Sequence, residues 1–317
     1  MLPQPLKTGK QSFVTVSPIL GGKITLPEKY FVDPADETAF HTVPSLSFLI
    51  TSTSHQPWPR RILFDLGLRS RITDYSEPQQ RHLANRTPYT IGPGVAAILR
   101  SEGLDPASDI DTVILSHVHY DHHGDPDHFP GAQFVVGPGT DSLLEHGLLG
   151  SAGSHQHFSG KDLLPVGRTV ELPFPGTNTG DDGIYEWKSF GSMNMMGIDF
   201  LGDGSVYILD SPGHLPGHVN LLCRISEKKW ICLCGDAYHD RRLLTGEKGI
   251  AFWEQQEQEE KVVVCCIHHD PPAAERALKQ LRELASLLPG DVEMIGAHDA
   301  GWFAQANREG RMFPACL

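Results

Sequence analysis

Short apolar runs recur along the chain, each closed by a small or polar residue. Ser45–Ile50, Arg61–Phe64, Asp111–Leu115, Ala132–Val136, Ser205–Asp210, Trp230–Cys234 and Val292–Ile295 are dominated by Val, Ile, Leu, Phe and Cys. Runs of this length and composition read as buried strands. The pattern changes at Gly94–Arg100, stopped near Gly103, and at Asp141–Glu145, which read as short helices. Pro271–Leu288 reads as a longer one, with Asp270 as N-cap, Pro271 at the first helical position and Pro289-Gly290 at its end. Residues 1–40 are proline-rich and predict an irregular arm with one or two early strands. Residues 147–200 are the least regular part. Their Tyr185, Trp187, Phe190, Met193, Met195, Met196 and Phe200 predict a segment that shapes an adaptable apolar pocket.

The residues just beyond several of these strands change the picture. The run ending at Leu115 continues Ser-His117-Val-His119-Tyr-Asp121-His122-His-Gly124. On extended backbone, side chains two apart share a face, so His117, His119 and Asp121 can converge. His122 can face elsewhere once the chain turns. Imidazole and carboxylate suit a borderline divalent ion such as zinc. Three donors on one side and a fourth at another angle point to two neighbouring ions rather than one. Further donors must exist, and the same event recurs. Ser205–Asp210 leads through Pro212-Gly213 to His214 and on to His218; Trp230–Cys234 leads through Gly235 to Asp236; Val292–Ile295 leads through Gly296 to His298. A lone His or Asp after a strand is most often a cap or a turn residue. Donors at the same ends of several strands can form one site.

The set His117-x-His119-x-Asp121-His122, His214, Asp236 and His298, together with Phe64-Asp65-Leu-Gly67, resembles the metallo-β-lactamase superfamily from about Ser45 to Asp299. The resemblance implies an α/β fold, an αββα sandwich of two mixed sheets flanked by helices, with metals at one edge. It implies His117, His119 and His214 at a first metal, Asp121, His122 and His298 at a second, and Asp236 bridging them. His218 would orient a ligand by hydrogen bonding. The full ligand set, with Asp236 present, differs from true β-lactamases of the superfamily, and His119 stands where flavodiiron proteins carry Glu. The turn Ser211-Pro-Gly-His214-Leu-Pro-Gly-His218, and His269-Asp270-Pro-Pro-Ala-Ala-Glu275, are similar to those of N-acyl homoserine lactonases, and fungal-type lactamases belong to the same wider group. Those lactonases place a Tyr three residues after the bridging Asp; here His239 stands there and Tyr238 one residue earlier.

The expected activity is a dinuclear hydrolase that opens a cyclic ester, amide or carbamate. Its cofactors would be two divalent ions, with zinc favoured by the donor set. Zinc supplies hydroxide near neutral pH, so no serine or cysteine nucleophile is required. Tyr238 or His239 would steady the carbonyl oxygen, and Asp121 or His123 would relay a proton to a leaving nitrogen. A thioesterase of the glyoxalase II or polyketide-releasing type would use the same site.

Composition narrows the partners. Lys and Arg number 26 against 39 Asp and Glu, a formal charge of −13, and no basic run marks a nucleic-acid surface. No stretch is long and apolar enough for a membrane span, and the polar, proline-containing first ten residues lack a signal-peptide core. The 6 cysteines, mostly in apolar runs, read as free thiols of a reducing, cytoplasmic compartment, with Cys232 and Cys234 packing on one strand face. The ligands span most of the chain, so one catalytic domain over 41–317 is expected, with 1–40 adding its first strands. The tail 302–317, with Trp302, Phe303 and Phe313, could cover the core or mediate a homodimer. The expected partner is a small-molecule substrate.

Overall fold

Successive side chains of a strand leave opposite faces, and here both faces of two sheets are buried. The computed structural model describes residues 12–54, 59–148, 160–177, 185–190, 195–256, 262–287 and 292–317. The first sheet holds β1 (Val14–Pro27), β2 (Phe40–Ser52), β3 (Arg60–Phe64), β4 (Thr112–Ile114), β5 (Gln133–Val136) and β6 (Thr169–Glu171), in that spatial order. The first three are antiparallel and β3 to β6 run parallel. The second sheet holds β7 (Lys188–Ser189), β8 (Met196–Asp199), β9 (Val206–Asp210), β10 (Val219–Arg224), β11 (Trp230–Leu233) and β12 (Val292–Ile295). It is antiparallel except for the β11–β12 pair. The helices are α1 (Glu77–Ala84), α2 (Val95–Ser101), α3 (Thr140–His146), α4 (Arg241–Thr245), α5 (Pro271–Leu287) and α6 (Ala300–Arg308).

The alternation assigns the layers. Ile62 and Phe64 point between the sheets, where they meet Leu221, Cys223, Ile231, Leu233 and Ile295. Leu63, Val113, Phe134 and Val136 point outward under α2 and α3, against Val95, Leu99 and Leu143. On the far side, Leu222, Trp230, Cys232, Cys234 and Met294 lie under α5, against Ala274, Leu278, Leu281 and Leu284. The result is the αββα arrangement of two mixed sheets between helices. Cys232 and Cys234 do share a face and pack with the Met294 sulfur.

Several local readings change. From residue 12 on, the described part of the first 40 residues is less irregular than its prolines predict. β1 is one long strand that crosses Pro18 at the sheet edge and absorbs Gly21 and Gly22 in a register shift between Leu20 and Lys23. Helix α1 has no apolar stripe, since Leu83 and Gln79 are its buried residues, and it starts from a Ser76–Gln79 capping box. The tail forms α6, with Trp302 and Ala306 in the inter-sheet core, and its end runs along β1, where the Phe313 and Leu317 N–H groups donate to Pro18 and Val16. It covers this chain's own core. Several described aromatic and Met residues of 147–200 pack inward too: Phe190 and Met195 beneath α5, Trp187 and Met196 between the sheets. Met193 lies outside the described residues. Among those described, no helix is long and apolar enough to cross a membrane.

Candidate metal centre

All the strand-end donors arrive at one edge of the sandwich. β4 delivers the loop of His117–His122, β9 the turn to His214, β11 the turn to Asp236, and β12 the turn to His298. Tight backbone turns make this convergence possible. Gly235 has φ +47°, and a Cβ there would sit 2.8 Å from Ser116 Cβ and 2.9 Å from His218 Nε2. Gly213, at φ +133°, lies so close to α5 that a Cβ would come within 2.3 Å of the Ala274 nitrogen. Such positions admit little but glycine.

Two groups of donors form. In one, His119 Nδ1 lies 2.8 Å from His117 Nε2 and 3.0 Å from His214 Nε2. The other gathers Asp121, His122 and His298, with Asp121 Oδ2 3.4 Å from His298 Nε2. Asp236 stands between them. Its Oδ2 faces His214 Nε2 at 3.4 Å and His117 Nε2 at 3.7 Å, while its Oδ1 faces His122 Nε2 at 3.2 Å and His298 Nε2 at 3.3 Å. One carboxylate thus addresses both groups.

The backs of these residues are held. Asp65, itself at φ +60°, accepts from the Ser116 N–H at 2.7 Å and places Oδ2 2.9 Å from His122 Nδ1. His298 Nδ1 donates to the Pro44 carbonyl at 2.7 Å. His218 donates from Nδ1 to the Ser211 carbonyl and accepts the Asp236 N–H at Nε2, 2.9 and 3.1 Å, which fixes its tautomer and staples two ligand turns together. The His269 and Asp270 N–H groups donate to the His214 and Gly213 carbonyls, so the start of α5 braces the His214 turn.

The donor set fits divalent cations. A single proton cannot satisfy both contacts of His119 Nδ1, whereas a cation among three imidazole nitrogens can. Burial holds His117 and His214 well below the usual histidine range, which keeps them in the neutral ligating form. Burial opposes charge on His122 and His298 as well, yet the carboxylates around them, Asp236 and Asp121 with Asp65 also at His122, together outweigh it and hold both above the usual range. That group therefore attracts positive charge. Buried His122 Nε2 and Asp236 Oδ1, which face each other across the second group, have no hydrogen-bond partner among the described residues, as expected where a cation completes the site.

A cavity of about 490 Å³, counted with its open mouth, ends on His119, Asp121, His214, Asp236, His239 and His298. Its walls come from Ile24 and Leu26 of β1, Phe31, His82, Arg86, Tyr120 and Ile267. The described residues of 147–200 contribute none of this lining; the rest of the segment expected to shape the pocket lies outside the described residues. A second hollow of about 690 Å³ shares Leu26, Phe31, His239 and His298 with the first.

Of the two residues after Asp236, His239 faces the site, with Nε2 3.1 Å from Asp236 Oδ2 and its ring 4.8 Å from Phe31. Tyr238 does not: it is fully buried against Gly296 in the core beneath α5. His123 is likewise turned away, its Nδ1 3.0 Å from the Gly124 carbonyl and its Nε2 3.5 Å from Gln79. Burial lowers it to about 3, so it is no proton relay. His268 joins His214 and His239 as a further donor group. It follows the strand Val262–Cys265, the same strand-then-ligand signal that marks the others.

No family model matches the chain. Gamma-lactamase MBL2 of Gibberella moniliformis (strain M3125 / FGSC 7600) is 32% identical over 188 residues, which cover 56% of this chain and 70% of that protein. Gamma-lactamase FDB1 of Fusarium pseudograminearum (strain CS3096) is 32% identical over 227 residues, 68% of this chain and 50% of that protein. The chain thus spans about half the length of the latter relative. The fold matches the solved structure of an N-acyl homoserine lactone hydrolase with N-hexanoyl-L-homoserine bound at its catalytic metal centre, at a TM-score of 0.65 and 17% identity over 97% of this chain and 100% of that one. The chain belongs to the metallo-β-lactamase superfamily, alongside its lactonase- and lactamase-like hydrolases.

Proposed function

We propose that this chain is a dinuclear metal-dependent hydrolase that opens cyclic esters, or cyclic amides and carbamates, with zinc as the favoured ion. The observation that carries the reading is Asp236, whose two oxygens face two separate histidine groups at the end of one cavity. His117, His119 and His214 would hold one ion, Asp121, His122 and His298 the other, and Asp236 both. Bound there, such ions supply Lewis acidity at a carbonyl oxygen and bring a water pKa to about 7. Neutral imidazoles and carboxylates, without thiolate, suit zinc among several first-row ions.

The chain's own residues do the rest. His239 lines the cavity beside Asp236 and is placed to donate to a carbonyl oxygen as it gains charge. Tyr120, on the same wall, stays a protonated donor because burial holds its hydroxyl well above the usual phenol range. Asp121 meets the cavity from the ligand side and can hand a proton to a departing amide nitrogen. Apolar Ile24, Leu26, Phe31 and Ile267 shield the reacting bond from bulk water. Relatives named as γ-lactamases and N-acyl homoserine lactonases favour ring opening over thioester cleavage.

The test is metal analysis of the freshly purified wild type and Asp236→Ala, with both assayed on matched lactone, lactam and thioester substrates. About two ions per wild-type chain with ring opening are expected, and loss of both metal and turnover in the variant. Thioester cleavage alone would move the reading to a thioesterase; full activity in a metal-free variant would end it.

A further inference from the structure

The cavity carries a cation on its wall that meets no acid among the described residues. After α1 the chain turns through Asn85 and Arg86 back toward β1. Both backbone groups of Arg86 are fixed: its N–H donates to the Leu83 carbonyl at 2.8 Å, and its carbonyl accepts from the Thr25 N–H at 3.0 Å. The side chain therefore enters the cavity beside Ile24 and Leu26. Its Nη2 lies 3.3 Å from His82 Nε2, and the His82 ring packs edge-on against Tyr120 at 5.1 Å. All three line the same cavity as His119, Asp121 and Asp236.

Several other buried or partly buried arginines are satisfied within the fold: Arg168, Arg224 and Arg282 donate to backbone carbonyls. Arg69, Arg242 and Arg311 each lie within 4.0 Å of a carboxylate. Arg86 has no such neighbour among the described residues, and its Nε is buried without a hydrogen-bond partner. A guanidinium drawn partly out of water without a counter-charge is costly to keep, and its planar fork matches a carboxylate in two parallel hydrogen bonds. The His82 contact holds that fork in place from one side.

We propose that Arg86, held by His82 and flanked by Tyr120, binds a carboxylate carried by the substrate, so that the chain prefers cyclic esters or amides bearing an acid group. This specificity rests on the hydrolase reading above, and it names the substrate class for the same cavity. The scissile carbonyl would lie toward Asp236 and His239, and the acid toward α1.

The experiment compares a γ-lactone carboxylic acid with its neutral carboxamide on metal-loaded wild type, Arg86→Gln and Arg86→Lys. Wild type should favour the acid. Arg86→Gln should lose about 30-fold in kcat/KM on the acid, mainly through KM, as expected for a hydrogen bond between charged groups. Its loss on the carboxamide should be under about threefold, its metal content should equal wild type, and Arg86→Lys should recover part of the preference. Equal losses on both substrates, or a wild type that favours the carboxamide, would overturn the proposal, and the wild-type comparison needs no variant. If no ring is opened at all, the hydrolase reading fails, and calorimetric titration with a cyclopentanone carboxylate decides the anion site separately. Binding weakened about tenfold in Arg86→Gln supports it; equal binding to both proteins removes it.

Discussion

The floor and the wall of the cavity are built in opposite ways. Each floor residue follows a strand end or lies in the loop that strand delivers, and the key imidazoles are gripped from behind, His122 by Asp65 and His298 by the Pro44 carbonyl. The wall comes from a bulged strand, a short segment at Phe31 and the exit of a helix with little apolar surface. The floor is thus preorganised by the rigid part of the fold, as metal chemistry requires. The wall is made of pieces that can change without disturbing the sheets. On the proposed reading, chemistry and selectivity sit on different parts of the sequence, so mutations should separate them.

The largest separation should come from behind the floor. Asp65→Asn keeps the size of the side chain but removes the charge 2.9 Å from His122 Nδ1. Outer partners of ligating histidines typically govern metal affinity by about 10- to 100-fold. The variant should therefore surrender one ion to a chelator well before the other, with activity falling in step. On the proposed assignment, the ion among His117, His119 and His214 should be the one retained. Simultaneous release of both would show that Asp236 couples the two groups too tightly to be told apart.

The complementary change is Phe31→Leu on the wall. Phe31 packs on His239 and borders both hollows. Shortening it should let the two join, raising KM for small rings several-fold, up to about tenfold, and admitting bulkier substituents, while metal content stays at the wild-type level. Equal loss of metal would mean that the wall supports the floor.

This division also explains what could be read from the sequence. Ile62, Leu63 and Phe64 belong to one apolar run, and their alternation between two cores is the ordinary geometry of a strand. The strand-then-donor recurrence placed His117, His119, His214, Asp236 and His298 together because strand ends of both sheets meet at one edge of the sandwich. Three residues later the logic ends. Whether Tyr238 or His239 meets the cavity depends on how the chain leaves Gly235 at φ +47°, which no periodicity encodes. The wall was less legible still. Ile24 and Leu26 look like any strand residues, and Arg86 follows a helix that lacks an apolar stripe. The aromatic and Met residues of 147–200, which suggested a pocket, serve the cores in their described part. Composition cannot say which surface an apolar residue will cover.

The smallest effect asks whether a strand leading to the floor tolerates a charge of its own. Asp210 ends β9, just before the turn to His214, and burial pushes its carboxyl up to about 6. In the unfolded chain it titrates near an ordinary value of about 3.9. Between those values the folded protein keeps a proton that the unfolded chain has lost. The associated stability is complete below about pH 4 and disappears as the pH rises through about 6. Asp210→Asn is neutral at every pH. At pH 8 it should therefore unfold a few degrees above wild type, about 1–2 kcal/mol once partial exposure is allowed for. Near pH 4.5 the two should nearly coincide. Thermal melts at both values check this. A gain of equal size at both would trace to packing rather than ionisation, and a loss at pH 8 would mean that the ionised carboxylate has a favourable partner.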